Sequence, residues 1–169
     1  VIVTIVEHHS NFLPWLQAAK RHGAALKFLE CDAKGEIPLE ALEEAITDKT
    51  RLVTMTQMSN VFGREYDVKA AAALCHSKGD LVVIADGSQS VPHIKVDVQD
   101  LGVDFLAFSG HKMLAPMGIG VLWGKKKWLD AMPPFLFGGE MIQSVSREGA
   151  VYAEVPHKFE AGTVNAGGA

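Results

Sequence analysis

Cysteine is scarce in this chain: 169 residues carry two, Cys31 and Cys75. They are too far apart for a Cys-x-x-Cys pair and no zinc-ligand set flanks them, which excludes a disulfide scaffold and a structural zinc site. A reducing, cytoplasmic setting is the expectation, with both cysteines as structural thiols. Basic charge is also short. Sixteen Lys and Arg face twenty Asp and Glu, for a formal charge of −4. Apart from Lys125, Lys126 and Lys127 the cations are scattered, so nucleic acid is not an expected partner. No apolar stretch approaches the ~20 residues of a membrane helix, and the opening VIVTIV is too short for a signal peptide, so no membrane association is expected. An initiator methionine is lacking before VIVTIVEHHS, and FEAGTVNAGGA closes without a capping element. The chain therefore reads as a piece of a larger protein. What is present is the balance of a domain with a real core, 48% hydrophobic and 21% charged residues.

Short apolar runs recur at 1–6 (VIVTIV), 25–30 (ALKFLE), 51–56 (RLVTMT), 81–86 (LVVIAD), 104–109 (DFLAFS) and 118–123 (GIGVLW). Their β-branched and aromatic residues with little polar alternation predict buried strands. Between them, 14–22, 39–46 and 67–78 carry helical spacing: Pro14 in a first turn before Gly23, Leu39, Leu42, Ala45 and Ile46 on one face, and Asp67 ahead of a helix that stops at Gly79. Strands alternating with helices predict an α/β fold with a mostly parallel sheet flanked by helices. From Pro133 onward periodicity weakens and glycines multiply, so 1–132 is expected to be the main domain portion and 133–169 a loop-rich, functional or interfacial segment.

In such sheets ligands sit at the carboxyl ends of the strands. There VIVTIV runs into Glu7, His8 and His9; LVVIA runs into Asp86, Gly87, Ser88 and Gln89; DFLAF runs into Ser109, Gly110, His111 and Lys112. RLVTMT adds Gln57, Ser59 and Asn60. The lysine has three possible uses: a point charge for phosphate, a surface cation, or a nucleophilic amine. The third needs companions. An aldehyde cofactor such as pyridoxal 5′-phosphate would need a carboxylate for its pyridinium nitrogen, donors for its phosphate and a group stacked on its ring. Asp86 can be the carboxylate, Ser109 and His111 can meet the phosphate, and His8 or His9 can stack. Singly, each residue has a plainer explanation as a cap, a turn residue or a polar neighbour. Their joint placement at successive strand ends is harder to explain by chance.

The segments EHHSNFLPW (7–15), TRLVTMTQMSNVFGRE (50–65), ADGSQSVPHIKVDVQDLGVDFLAFSGHK (85–112), GIGVLWGK (118–125), FGGEMI (137–142) and FEAGTVNAGG (159–168) resemble the cysteine desulfurases. These belong to the class V aminotransferase group of pyridoxal-phosphate enzymes with the aspartate-aminotransferase type of fold. The likeness is greatest to the branch that supplies sulfur for iron–sulfur cluster assembly. It implies part of a seven-stranded-type large domain, incomplete at both ends, with a small domain to follow. It makes Lys112 the Schiff-base lysine, Asp86 the partner of the pyridinium nitrogen, Gln89 a contact of the phenolic oxygen, and Ser109 and His111 contacts of the phosphate. His8 would stack on the ring, Asn60 would hold the substrate carboxylate, and Thr163 would reach the phosphate bound by the other subunit of a homodimer.

The implied reaction takes sulfur from L-cysteine onto an enzyme cysteine, releases L-alanine, and passes the sulfur to an acceptor protein. In the family that cysteine and a carboxylate-binding arginine follow the FEAGT segment, and a glycine- and threonine-rich phosphate loop precedes the first strand. Where the family has SGHKxxGPTG, Ala115 and Met117 stand here in place of glycine and threonine. Other expectations within the same group are a selenocysteine lyase, a kynureninase-like hydrolase, an aminotransferase or an epimerase. A non-enzymatic expectation is an isolated, inactive fragment prone to self-association.

Overall fold

The computed structural model describes residues 1–169 and contains a six-stranded sheet and a separate two-stranded one. In the large sheet β1 (Ile2–Thr4), β2 (Lys27–Leu29), β3 (Leu52–Thr56), β4 (Val82–Asp86), β5 (Phe105–Ser109) and β6 (Gly120–Gly124) stand in the order β2-β1-β3-β4-β5-β6. All six coincide with the predicted apolar runs. Five are parallel, and β6 runs antiparallel to β5. The sheet is thus mostly parallel, as expected, with six strands where the seven-stranded type would have one more.

The helices form where the sequence provides for their ends. In α1 (Leu13–His22) Pro14 occupies the first turn, where its missing N–H has no partner to lose, and Gly23 takes the left-handed conformation after it. α2 (Leu39–Ala45) buries Leu42 and Ala45. α3 (Val68–Lys78) is capped by Asp67, whose carboxylate accepts from Ala70 N–H at 2.9 Å. Three shorter helices follow: α4 (Ser90–His93), α5 (Val98–Leu101) and α6 (Lys126–Ala131). The main core joins Ile2, Val53, Val83 and Leu106 of the central strands to Leu42 of α2 and Val68, Ala72 and Cys75 of α3.

The core also holds a polar latch. Asp104, 1% exposed, accepts hydrogen bonds from Val83 N–H and Trp128 Nε1, and meets His76 and Lys125. Burial pushes this carboxyl up, but the surrounding donors outweigh burial and hold it at about 2.

Beyond Pro133 the chain is not loop alone. Strands β7 (Ile142–Val145) and β8 (Ala150–Tyr152) form an antiparallel hairpin, with a register shift between Ile142 and Ser144. Met141, at its base, is fully buried.

Candidate functional site

The sheet order places β1, β3, β4 and β5 side by side with parallel directions, so their carboxyl ends share one edge. Asp86 ends β4, and the Asp86 carbonyl accepts from Gln57 N–H at 3.0 Å. A cavity of about 210 Å³ opens at this edge, lined by Ser10, Asn11, Asp86, Ser88, Phe108 and Ser109 among others. Asp86 and Ser109, expected to work together, therefore do meet. One carboxylate oxygen of Asp86, Oδ1, accepts from Ser88 N–H at 2.8 Å. Oδ2 has no partner within the chain and is free to take an N–H donor.

Lys112 and His111 lie in a 3-10 turn, Gly110–Met113, that follows β5 directly and packs beside α4. Gly110 makes the turn possible. It donates to the Ile119 carbonyl at 2.9 Å, and a Cβ there would stand 2.6 Å from Ile119 Cγ2. Only glycine admits that approach. The turn closes with Ala115 N–H on the Gly110 carbonyl at 3.1 Å, so alanine in the usual glycine position is accommodated, while Leu114 takes the left-handed conformation with φ 69°. Lys112 is half-buried and no carboxylate lies within ion-pair reach of it. A cation held near the strand ends without a counter-charge is available to a ligand. His111 is exposed.

His8 is the N-cap of a 3-10 turn, His9–Asn11, after β1. Its Nδ1 accepts from Ser10 N–H at 3.2 Å, which docks the imidazole on its own turn. Gln89 is half-buried immediately before α4. Asn60 is exposed in the turn after β3, and Thr163 is exposed in the segment that Gly162 N–H ties to the Gly139 carbonyl at 3.0 Å. Of the expected residues Asp86 and Ser109 line the cavity; Lys112, His111, His8, Gln89, Asn60 and Thr163 do not.

Three polar residues without an expected role also belong to the cavity's walls: Ser10, Asn11 and Ser88. Asn11 is the informative one, since a buried amide beside a turn signals a network. It donates to Glu7 Oε2 at 2.6 Å and accepts from Thr54 Oγ1 at 2.9 Å and Trp15 Nε1 at 3.0 Å.

A larger cleft, about 750 Å³, lies elsewhere, between Gln57, the start of α3 and the segment 95–101. Three of its four carboxylates are engaged: Asp67 and Asp97 cap helices and Asp100 pairs with Lys69, while Glu65 has no side-chain partner. Cys75 is fully buried and its thiol is pushed up to about 11 by burial and by Asp104. Cys31 is half-buried just past β2. No helix is long and apolar enough to cross a membrane.

The arrangement offers a carboxylate for a cationic ring nitrogen, an unpaired amine, and hydroxyl and imidazole donors for an anion. That donor set fits pyridoxal 5′-phosphate. Comparison with known proteins points the same way. The chain is 48% identical over 163 residues to a probable cysteine desulfurase of Halalkalibacterium halodurans, covering 96% of this chain and 40% of that protein. It is 47% identical to one of Streptomyces coelicolor, with 96% and 39% covered. The crystal structure of the cysteine desulfurase CsdA from Escherichia coli superposes with a TM-score of 0.95 at 44% identity, over 99% of this chain and 42% of that one. The apo cysteine desulfurase of Thermococcus onnurineus NA1 gives 0.92 at 40% identity, over 99% and 42%. The chain thus spans about two fifths of the length of these relatives. The model of the family described as aminotransferase class V matches residues 1–169, end to end, and with the strand-end site this establishes that the chain belongs to the class V aminotransferase family.

Proposed function

We propose that this chain is the cofactor-binding portion of a pyridoxal-phosphate-dependent cysteine desulfurase, which takes sulfur from L-cysteine and leaves L-alanine. The observation that carries this is the placement of Asp86 and Ser109 on one cavity at neighbouring strand ends, with the unpaired Lys112 in the turn that follows β5 directly. Identity near 48% to probable cysteine desulfurases supports the choice of reaction within the family.

The bound cofactor would supply an electron sink for the bond broken at the substrate α-carbon. Asp86 Oδ2 would accept from the ring N–H and keep that proton in place. Lys112 would tether the cofactor through Nζ and, when freed by the substrate amine, take the α-proton. Ser109 and His111 would donate to the phosphate, His8 would cover the ring, and Gln89 would donate to the phenolic oxygen. Asn60 would orient the substrate carboxylate. Thr163, exposed and outside the cavity, is suited to a phosphate held by a second subunit, which supports a homodimer.

Neither thiol suits the role of sulfur carrier: Cys75 is buried and held protonated, and Cys31 lies past β2, at the far side of β1 from β3 and β4. The persulfide carrier and the route to an acceptor protein of iron–sulfur assembly are therefore sought outside these 169 residues. A reducing, cytoplasmic setting belongs to the same proposal, supported by two free cysteines.

Borohydride reduction in the presence of pyridoxal 5′-phosphate, followed by peptide mapping, tests the assignment. The pyridoxyl mass is expected on the peptide containing Lys112. Labelling of another lysine instead, or of none, overturns it.

A further inference from the structure

Glu7 is a carboxyl group at the back of the site to which neither the family likeness nor the scheme above gives a task. Its oxygens meet three donors. Oε1 accepts from Thr4 Oγ1 and, at 2.7 Å, from Thr56 N–H of β3; Oε2 accepts from Asn11 Nδ2 at 2.6 Å. The direction of the last bond is fixed from outside. Trp15 Nε1 can only donate, and it donates to Asn11 Oδ1 at 3.0 Å, so the amide nitrogen of Asn11 must face Glu7. Thr54 Oγ1 on the same Oδ1 agrees. A carboxylate satisfies all three donors, whereas a glutamine would turn its own NH₂ toward one of them.

The clamp spans a turn of consequence. Glu7 and Asn11 are its two ends, and His8, with Nδ1 docked on Ser10, lies between them. We propose that Glu7 is a positioning residue for the cofactor pocket: its carboxylate ties the exit of β1 to β3 and to Asn11, and thereby sets the pose of His8. The proposal rests on the cofactor assignment made above.

Its electrostatics add a consequence. The titratable groups around Glu7 are Asp86 at the end of β4, Glu30 past β2, Tyr66, and the neighbouring His8 and His9, with no lysine or arginine paired to it. Burial first, with repulsion from Asp86 added, outweighs the three donors and pushes the group to about 7. The Thr4 hydroxyl is the one partner that can reverse from donor to acceptor when Glu7 takes up a proton.

Trp15 reports on this network one hydrogen bond away, and needs no catalysis. In the cofactor-free, ¹⁵N-labelled protein its indole resonance, identified by its loss in Trp15→Phe, is expected to titrate near neutral pH. The titration persists in His8→Ala and vanishes in Glu7→Gln. One glutamate carboxyl carbon in the wild type is expected to titrate near pH 7 as well, which requires no variant to fold. Glu7→Gln is expected to weaken pyridoxal 5′-phosphate binding about tenfold, and His8→Ala added to it costs little more, because both act through one imidazole. The proposal is overturned by a Trp15 titration that survives Glu7→Gln, or by losses at Glu7 and His8 that simply add. A wild type without affinity for the cofactor overturns the cofactor assignment instead, and the titration of the unloaded protein distinguishes the two failures.

Discussion

Asp104 and Asp86 are both acids on the sheet, yet their surroundings assign them opposite work. Asp104 is enclosed by donors from four directions, Val83 N–H, Trp128 Nε1, His76 and Lys125, and so holds α3, β4 and the start of α6 to one point. Asp86 keeps an oxygen free. The first is a structural carboxylate, the second the one proposed to bind. Because the native value of Asp104, about 2, lies below the usual carboxylate range, its contribution is present in full above pH 4 and is lost as pH falls through 2. Shifts of this size correspond to about 2 kcal/mol of stability. Asp104→Asn is expected to cost about 3 kcal/mol at pH 7 in urea unfolding, because an amide nitrogen then faces the indole or the ammonium. The gap between variant and wild type should narrow on acidification to pH 2. A gap that stays constant with pH would deny the carboxylate its charged role.

Among the elements, β6 stands out because its outer edge is unpaired and its side chains are bare: Val121 is 48% and Leu122 54% exposed, with Phe135 at 87% nearby. A groove of about 500 Å³ beside it is lined by Leu122, Leu129, Met132, Phe135 and Phe159. Open edges and apolar patches of this kind promote association. The 169-residue chain is expected to self-associate with rising concentration in sedimentation velocity, and the pair Leu122→Lys and Phe135→Lys to reduce this without changing the far-ultraviolet circular dichroism. The same strand shows where sequence patterns stop. Its apolar run announced a strand, as the other five did, and Asp67, Pro14 and Gly23 announced helix ends through chemistry that acts within a few residues. Direction is not local: GIGVLW is apolar on either reading, and only pairing with β5 makes it antiparallel. The β7–β8 hairpin was hidden for a similar reason. Its residues are largely exposed and its register is broken between Ile142 and Ser144, so no alternation of polar and apolar residues marks it. The strand-end positions of Asp86, Ser109 and Lys112 were legible because strand ends are legible. The clamp of Glu7 and Asn11 was not, since Thr56 lies 49 positions along the chain from Glu7 and is brought there only by the sheet.

For the molecule as a whole, the strand-end groups belong to three strands of one sheet, so a ligand that engages them together is coupled to the sheet's cooperative unfolding. Asp86 ends β4, Lys112 follows β5 and His8 follows β1; none of these positions can be held if the strands separate. Pyridoxal 5′-phosphate bound to the native state alone should therefore stabilise it by mass action. At a hundredfold excess over its dissociation constant this amounts to about 2.7 kcal/mol. In a chain of this size each kcal/mol moves the melting temperature by about 2–4 °C, so the expected shift is about 5–10 °C. Lys112→Ala should retain part of it, through Asp86 and the phosphate donors, and the shift should then become reversible on dialysis. Asp86→Ala should abolish most of it, because the ring nitrogen then loses its counter-charge. Melting curves recorded by circular dichroism with and without the cofactor distinguish these cases. Equal melting temperatures for the wild type in both conditions would mean that the strand ends do not act as one site.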